Sequence, residues 1–282
     1  MMMEYIELNN GMKCPAVGIG TFMLAPADAE NSVREALKMG YRLIDTANAY
    51  VNERAVGRAM KESGVNREEI FLSTKLWPSE YENENAVEET LERLGTDYVD
   101  LLYIHQPAGN WLAGYRQLEK AYREGKAKSI GISNFEGTYI EQLQTEWEIV
   151  PQFIQVEAHP YFAQDKLRRT LDRYGIKLMS WYPLGHGDRS LIEEPVFAKI
   201  AQKYGKTPAQ VILRWHTQMG FAVIPGSKNT EHIRDNLNIL DFRLTDEEMA
   251  EIAVLNKGVR YYHRTEEQLA GFAGWRPAFE QK

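Results

Sequence analysis

Eight short runs of apolar, largely β-branched residues recur along this chain, each followed by a charged stretch whose apolar positions keep helical spacing. The runs are VGIG at 17–20, RLID at 42–45, IFLSTK at 70–75, VDLLYIH at 99–105, SIGISN at 129–134, FIQVE at 153–157, KLMSWY at 177–182 and FAVIP at 221–225. Between them lie amphipathic segments such as DAENSVREALKMG, NENAVEETLERLG and TPAQVILRWHTQMG, which open on Asp, Asn or Thr and close near Gly, as helix caps do. Alternation of this kind predicts an α/β fold, the (β/α)8 TIM barrel. An open doubly wound sheet would place G-x-G-x-x-G after its first strand to receive a pyrophosphate, whereas VGIGTF has no third glycine opening a helix.

The opening segment EYIELNNGMKCPAVGIG carries Asn10-Gly11 between two extended stretches, which predicts a β-hairpin capping the barrel bottom. From about Gly258 the chain is aromatic and charged with no barrel strand left to join; it either packs near the pocket mouth or is partly disordered. No Pro/Ser-rich linker or charge block divides the sequence, so residues 1–282 read as a single domain.

A formal net charge of −7 argues against a nucleic-acid partner, which demands a basic face, and against an anionic membrane surface. No apolar run reaches the length of a spanning helix, and the first residues lack the basic and apolar regions of a signal peptide. The one cysteine, Cys14, excludes an internal disulfide framework and suits a reducing, cytoplasmic setting.

In such a barrel, polar residues at the C-terminal ends of strands converge on one face. Asp45 ends YRLID, Lys75 ends IFLSTK and His105 ends DLLYIH, with 30 residues between neighbours in this series, one β/α unit each. Tyr50 follows Asp45 on the loop leaving the same strand. A lone Asp or Lys at a strand end is usually a cap or a solvated charge; three ionisable residues at one unit period are not readily accidental. They also form a working set. Reducing a carbonyl adds hydride to carbon and a proton to oxygen; no side chain donates hydride, so a nicotinamide or flavin must. Tyr50 is the candidate acid, Lys75 the cation that lowers its pKa, Asp45 the group holding Lys75 charged, and neutral His105 the donor that fixes the carbonyl oxygen.

With GIGTF near the start, IDTANAYVNE, STKLW, GISNF and the PGSK region, the sequence resembles the aldo-keto reductases over nearly its whole length. The family's tetrad falls on Asp45, Tyr50, Lys75 and His105. The resemblance implies NAD(P)H-dependent carbonyl reduction without a metal, on small aldehydes and ketones, by a monomer. It also implies that Gly20, Thr21 and Phe22, then Ser133, Asn134 and Gln155, meet the cofactor, with the last three around the carboxamide. Trp181 would stack on the nicotinamide, followed by Tyr182, Pro183, Leu184 and Gly185. Plain core packing for Trp181 and helix capping for Asn134 are the alternatives.

For the phosphate end the resemblance points to Ile224, Gly226, Ser227, Lys228, His232, Arg234, Asp235 and Asn236. Many relatives read I-P-K-S where this chain has Gly226, with Lys228 two residues on. Ser227, Lys228 and Arg234 could neutralise a 2′-phosphate, which favours NADPH and leaves NADH open; Lys228 as an ordinary solvated charge is the alternative. Trp77 is expected on the substrate wall, with Phe22, Trp111 and tail aromatics such as Tyr261 or Trp275 as weaker candidates. Gln106 stands where relatives often carry Trp, and the short loop QPAGNWLAGY after it predicts an open pocket of broad specificity for aldehydes, α-keto carbonyls or quinone-like compounds.

Two other classes remain. A cofactor-binding, non-catalytic regulatory subunit would keep the same barrel, although the intact tetrad speaks against it. A hydrolase would need clustered metal ligands or two paired carboxylates, for which Asp45 and Glu157 could be nominated, but Tyr50 and Lys75 would then be idle.

Overall fold

The computed structural model describes residues 3–280, so the outermost two residues at each end of the expected 1–282 domain lie outside it. Strands β1 (Tyr5–Glu7) and β2 (Lys13–Pro15) pair antiparallel with Ile6 opposite Cys14, and Gly11 in the turn adopts φ +84°. This is the hairpin that Asn10-Gly11 predicts.

The eight expected runs become eight parallel strands in sequential order: β3 (Ile19–Gly20), β4 (Leu43–Asp45), β5 (Phe71–Leu76), β6 (Leu101–Ile104), β7 (Ile130–Ser133), β8 (Phe153–Glu157), β9 (Lys177–Trp181) and β10 (Ala222–Val223). The barrel closes where Val17 bridges Val223, with Gly18 N donating to Val223 O at 2.8 Å and Val223 N to Ala16 O at 2.9 Å. Closure is tight at the rim as well. A Cβ on Gly20 would stand 2.7 Å from the Ile224 carbonyl oxygen, so only glycine lets β3 approach the loop after β10.

The two-residue period of the strands sorts their side chains. Leu43, Phe71, Leu101, Tyr103, Phe153, Met179 and Ala222 point inward and form one cluster with Leu8 and Cys14 of the hairpin segment, which plugs the bottom. Ile44, Leu72, Leu102, Ile154 and Leu178 belong to the larger cluster between barrel and helices. Being covered on both faces explains why the strands read as continuous apolar runs. Moving two residues along each strand changes the interior from apolar to polar: Leu43 gives way to Asp45, Phe71 to Ser73 and Lys75, Tyr103 to His105, and Phe153 to Gln155 and Glu157.

The outer helices begin and end where capping chemistry places them. Thr207 and Gln210 form a capping box before helix Pro208–Gln218, and Gly40 at φ +103° ends helix Pro26–Met39. The tail takes the first of its two expected courses. It crosses the mouth of the barrel and forms a helix at Glu266–Gly274, capped by Thr265 with Gln268. Among the described residues no helix is long and apolar enough to cross a membrane.

Candidate active site

Four of the rim residues meet. Lys75 is fully buried, and its Nζ donates to Asp45 Oδ2 at 2.6 Å and to the Thr46 carbonyl at 2.7 Å. The Asp45 Oδ1 accepts from Ser73 Oγ at 2.7 Å and Gln155 Nε2 at 2.9 Å. These four bonds fix the ion pair in place, which is what a buried pair needs to offset its desolvation. The Lys75 amine lies 4.9 Å from the centre of the Tyr50 ring, and the His105 ring stands edge-on to Tyr50 at 5.6 Å. Tyr50 is half-buried on the short turn Asn48–Tyr50 directly after β4, held by its N–H to the Ala47 carbonyl.

The electrostatics depart from the sequence expectation in one respect. Burial, with the Asp45 carboxylate adding to it, pushes the Tyr50 phenol well above its ordinary pKa; the net effect of this site is not the lowering expected from Lys75. The amine is itself pulled below its usual value by burial, against the opposing pull of Asp45 and Glu53. Burial and the nearby Lys75 charge take His105 well below its ordinary value, so its imidazole is neutral at neutral pH. Its Nδ1 is buried with no hydrogen-bond partner among the described residues.

Above these groups opens a cavity of about 560 Å³. Its floor holds Asp45, Tyr50 and His105; Gly20, Phe22, Ser133, Asn134 and Gln155 line one part, and Trp181, Tyr182, Pro183 and Leu184 another. Ile224 and Gly226 close it on the β10 side, and Trp77 forms a wall. Asn134, at φ +66°, donates through Nδ2 to the His105 carbonyl at 3.2 Å and accepts from Trp181 Nε1 at 3.2 Å, so amide and indole are set together. Tyr182 (φ +52°) and His186 (φ +50°) stack at 3.7 Å in the loop after β9.

Several expected residues fall outside the cavity wall. Trp111 packs edge-on against Phe135 at 5.6 Å, because it begins helix Trp111–Arg123 on the barrel's outer side. Thr21 is fully buried behind the wall, its hydroxyl within hydrogen-bond distance of the Asp45 carbonyl and of Asn52 Oδ1. Gly185 backs onto the Tyr261 side chain. At the phosphate end, Ser227 is engaged within its own turn, with its Oγ accepting from Asn229 N at 3.0 Å. Lys228 is exposed, 4.0 Å from Asp28. His232, Arg234 and Asp235 lie on the exposed side of helix Thr230–Leu237, and Asn236 is buried on it. Helix Thr230–Leu237, capped by the Asn229 side chain, thus carries His232, Arg234, Asp235 and Asn236 off the cavity wall.

Of the tail aromatics, the sequence nominates Trp275, which does line the cavity, and Tyr261, which is not on its wall; Tyr262 and Phe272 are not nominated. Tyr262, Phe272 and Trp275 of the tail line the cavity, with Trp77 edge-on to Phe272 at 5.3 Å and to Trp275 at 4.9 Å, and Trp77 Nε1 donating to the Trp275 carbonyl at 3.1 Å. The pocket expected to be open behind the short 106–115 loop is therefore walled by the tail helix. Glu157 anchors that tail: its buried carboxylate accepts from Tyr261 N at 2.5 Å and Tyr262 N at 3.2 Å and meets His159 Nε2 at 2.9 Å. Burial alone would raise its pKa, yet these hydrogen bonds hold it low. One signal was available in the sequence, the Thr265-x-x-Gln268 capping box ahead of the tail helix.

A model of the Aldo/keto reductase family matches residues 16–257. The chain belongs to that family. It is 43% identical to the glyoxal reductase of Bacillus subtilis over 262 residues, covering 91% of this chain and 94% of that one. It is 41% identical over 272 residues to the morphine 6-dehydrogenase of Pseudomonas putida, covering 90% and 92% respectively. Among solved structures, a Bombyx mori aldo-keto reductase in complex with NADP superposes with a TM-score of 0.87 at 33% identity, covering 93% of this chain and 96% of that one. The aldo-keto reductase barrel thus fits this chain from before β3 to the start of the tail, and carbonyl oxidoreduction with a nicotinamide cofactor is the chemistry of the family. The tail wall and the last rim contacts lie beyond the matched residues.

Proposed function

We propose that the protein is an NADPH-dependent reductase of small aldehydes and ketones, working as a cytoplasmic monomer through a single barrel domain, with Tyr50 as general acid. The observation that carries the proposal is the buried Lys75–Asp45 pair set beneath Tyr50 and His105 at the floor of one cavity. Two further observations support it: relatives bear reductase names, and a solved relative holds NADP.

The cavity has the parts a nicotinamide would need. Ser133, Asn134 and Gln155 present hydroxyl and amide groups suited to a carboxamide, and Trp181 offers a flat ring beside them. When bound, the cofactor supplies the hydride. The remaining work falls to side chains. His105, neutral, hydrogen-bonds the carbonyl oxygen and orients it toward Tyr50. As that oxygen gains negative charge it becomes a stronger base than a phenolate and takes the Tyr50 proton. Lys75 stabilises the phenolate left behind, and Asp45 keeps Lys75 charged although burial opposes it. The raised phenol pKa keeps Tyr50 protonated until the oxygen demands its proton.

At the other end, Lys228, Ser227 and Arg234 are exposed or half-exposed and near enough in sequence to receive a 2′-phosphate, which favours NADPH over NADH. The test mixes purified protein with NADPH or NADH and a panel of aldehydes and diones while nicotinamide absorbance is followed. Turnover with NADPH supports the enzyme. Tight cofactor binding without turnover on any carbonyl would instead mark a regulatory subunit.

A further inference from the structure

Gln106 follows His105 and lines the cavity beside it. Its backbone is clamped on both sides by one phenol: Gln106 N donates to the Tyr81 hydroxyl at 3.0 Å, and that hydroxyl donates to the Gln106 carbonyl at 2.8 Å. Tyr81 is itself fully buried, so position 106 cannot swing away. The side chain is held from the opposite direction. Arg264 of the tail donates through Nη1 to Gln106 Oε1 at 2.8 Å and through Nη2 to the Asn134 carbonyl at 2.8 Å.

A guanidinium has only donors, so the contact decides which end of the amide faces it. The carbonyl must turn toward Arg264, and the NH2 is left over. No hydrogen bond from Gln106 Nε2 to a protein acceptor occurs among the described residues, although the residue is only 7% exposed. The wall next to His105 is therefore left with a fixed, unused donor whose direction is set by a residue 158 positions away. The donor sits at the cavity wall, and a ligand oxygen entering the cavity is the partner it can take.

We propose that Gln106 and Arg264 form a specificity-determining pair that recognises a second acceptor oxygen on the carbon next to the reacting carbonyl. Arg264 is the positioning residue, and the Gln106 Nε2 amide is the group that touches substrate. His105 addresses the reacting oxygen while Gln106 addresses its neighbour, so a vicinal dicarbonyl engages both donors and a simple aldehyde only one. This deepens the reductase reading above and rests on it.

The experiment compares kcat/KM for phenylglyoxal, which has the second oxygen, with phenylacetaldehyde, which has the same ring and aldehyde but lacks it. The readout is the ratio of the two, so a general loss of activity cancels. Gln106→Glu keeps the size, and its carboxylate still accepts from Arg264, but it offers no donor. The ratio is expected to fall about tenfold in Gln106→Glu, in keeping with loss of one hydrogen bond to a buried polar group. It falls similarly in Arg264→Met and is partly restored in Arg264→Lys. Because the two side chains act as a unit, Gln106→Glu combined with Arg264→Met should lower the ratio no further than either alone. A ratio unchanged in Gln106→Glu while wild type reduces both compounds would overturn the pair's role and leave the reductase reading standing. Wild type that reduces neither compound would overturn both.

Discussion

The two ends of the expected cofactor site are built differently. At the catalytic rim, every charged group is inside the barrel and tied to several others: Lys75 to Asp45 and Thr46, and Asp45 also to Ser73 and Gln155. At the phosphate end, the Lys228 side chain is 73% exposed and touches one carboxylate at 4.0 Å, while Lys75 is 0% exposed. An exposed pair at that distance contributes little, whereas a buried pair is costly to break. The rim is organised before a ligand arrives; the outer loop has cations that a ligand could recruit. The difference predicts that substitutions at the rim change the rate and those on the loop change affinity.

The largest effect expected from this contrast belongs to Lys75→Met. It removes the charge that stabilises the phenolate and leaves Asp45 buried without its cation. We expect kcat for carbonyl reduction to fall on the order of a thousandfold and chemical denaturation to show a loss of about 3–5 kcal/mol. Retention of kcat within a few-fold would erase the distinction between the two ends. A smaller effect is expected at the loop. Lys228→Ala should raise the Kd for NADPH about fivefold and that for NADH little, since one exposed charge–phosphate contact contributes about 1 kcal/mol, and the loss should fall on affinity more than on kcat. Equal weakening of both cofactors would remove Lys228 from the 2′-phosphate site.

The smallest expected change is in pH dependence. Burial and the Lys75 charge depress His105, so its neutral form persists as pH falls through the ordinary histidine range, and the raised Tyr50 phenol stays protonated as pH rises. The rate of reduction should therefore change less than about twofold between pH 8 and pH 6. An inflection near pH 6.5 that disappears in His105→Gln would show that this imidazole titrates at its ordinary value.

The same contrast explains how much could be read from the sequence. Period two within each run and one β/α unit between runs are imposed by the barrel, so the sequence alone puts Asp45, Lys75 and His105 on one rim. The hairpin was legible for a similar local reason, in Asn10-Gly11. The catalytic pKa balance was not, because burial and the Asp45 carboxylate act on Tyr50 through space, and their sum outweighs the nearby amine. Trp111 is a weaker pocket candidate from the sequence, and the helix it begins turns it toward Phe135 instead. Most of the tail wall, Trp275 apart, is illegible for the opposite reason. Tyr262 and Phe272 follow no strand period, and they reach the cavity through contacts made across more than a hundred residues, Glu157 capturing the backbone of Tyr261 and Tyr262 and Arg264 binding Gln106 and Asn134.

The measurement that bears most directly on the rim as a proton-donating unit is single-turnover reduction by Tyr50→Phe, with NADPH affinity followed separately by tryptophan fluorescence. The rate is expected to fall on the order of a thousandfold with cofactor affinity little changed, because the lost hydroxyl acts on the substrate oxygen. A Tyr50→Phe protein that binds NADPH and still reduces carbonyls at the wild-type rate would contradict the rim's proton-donating role.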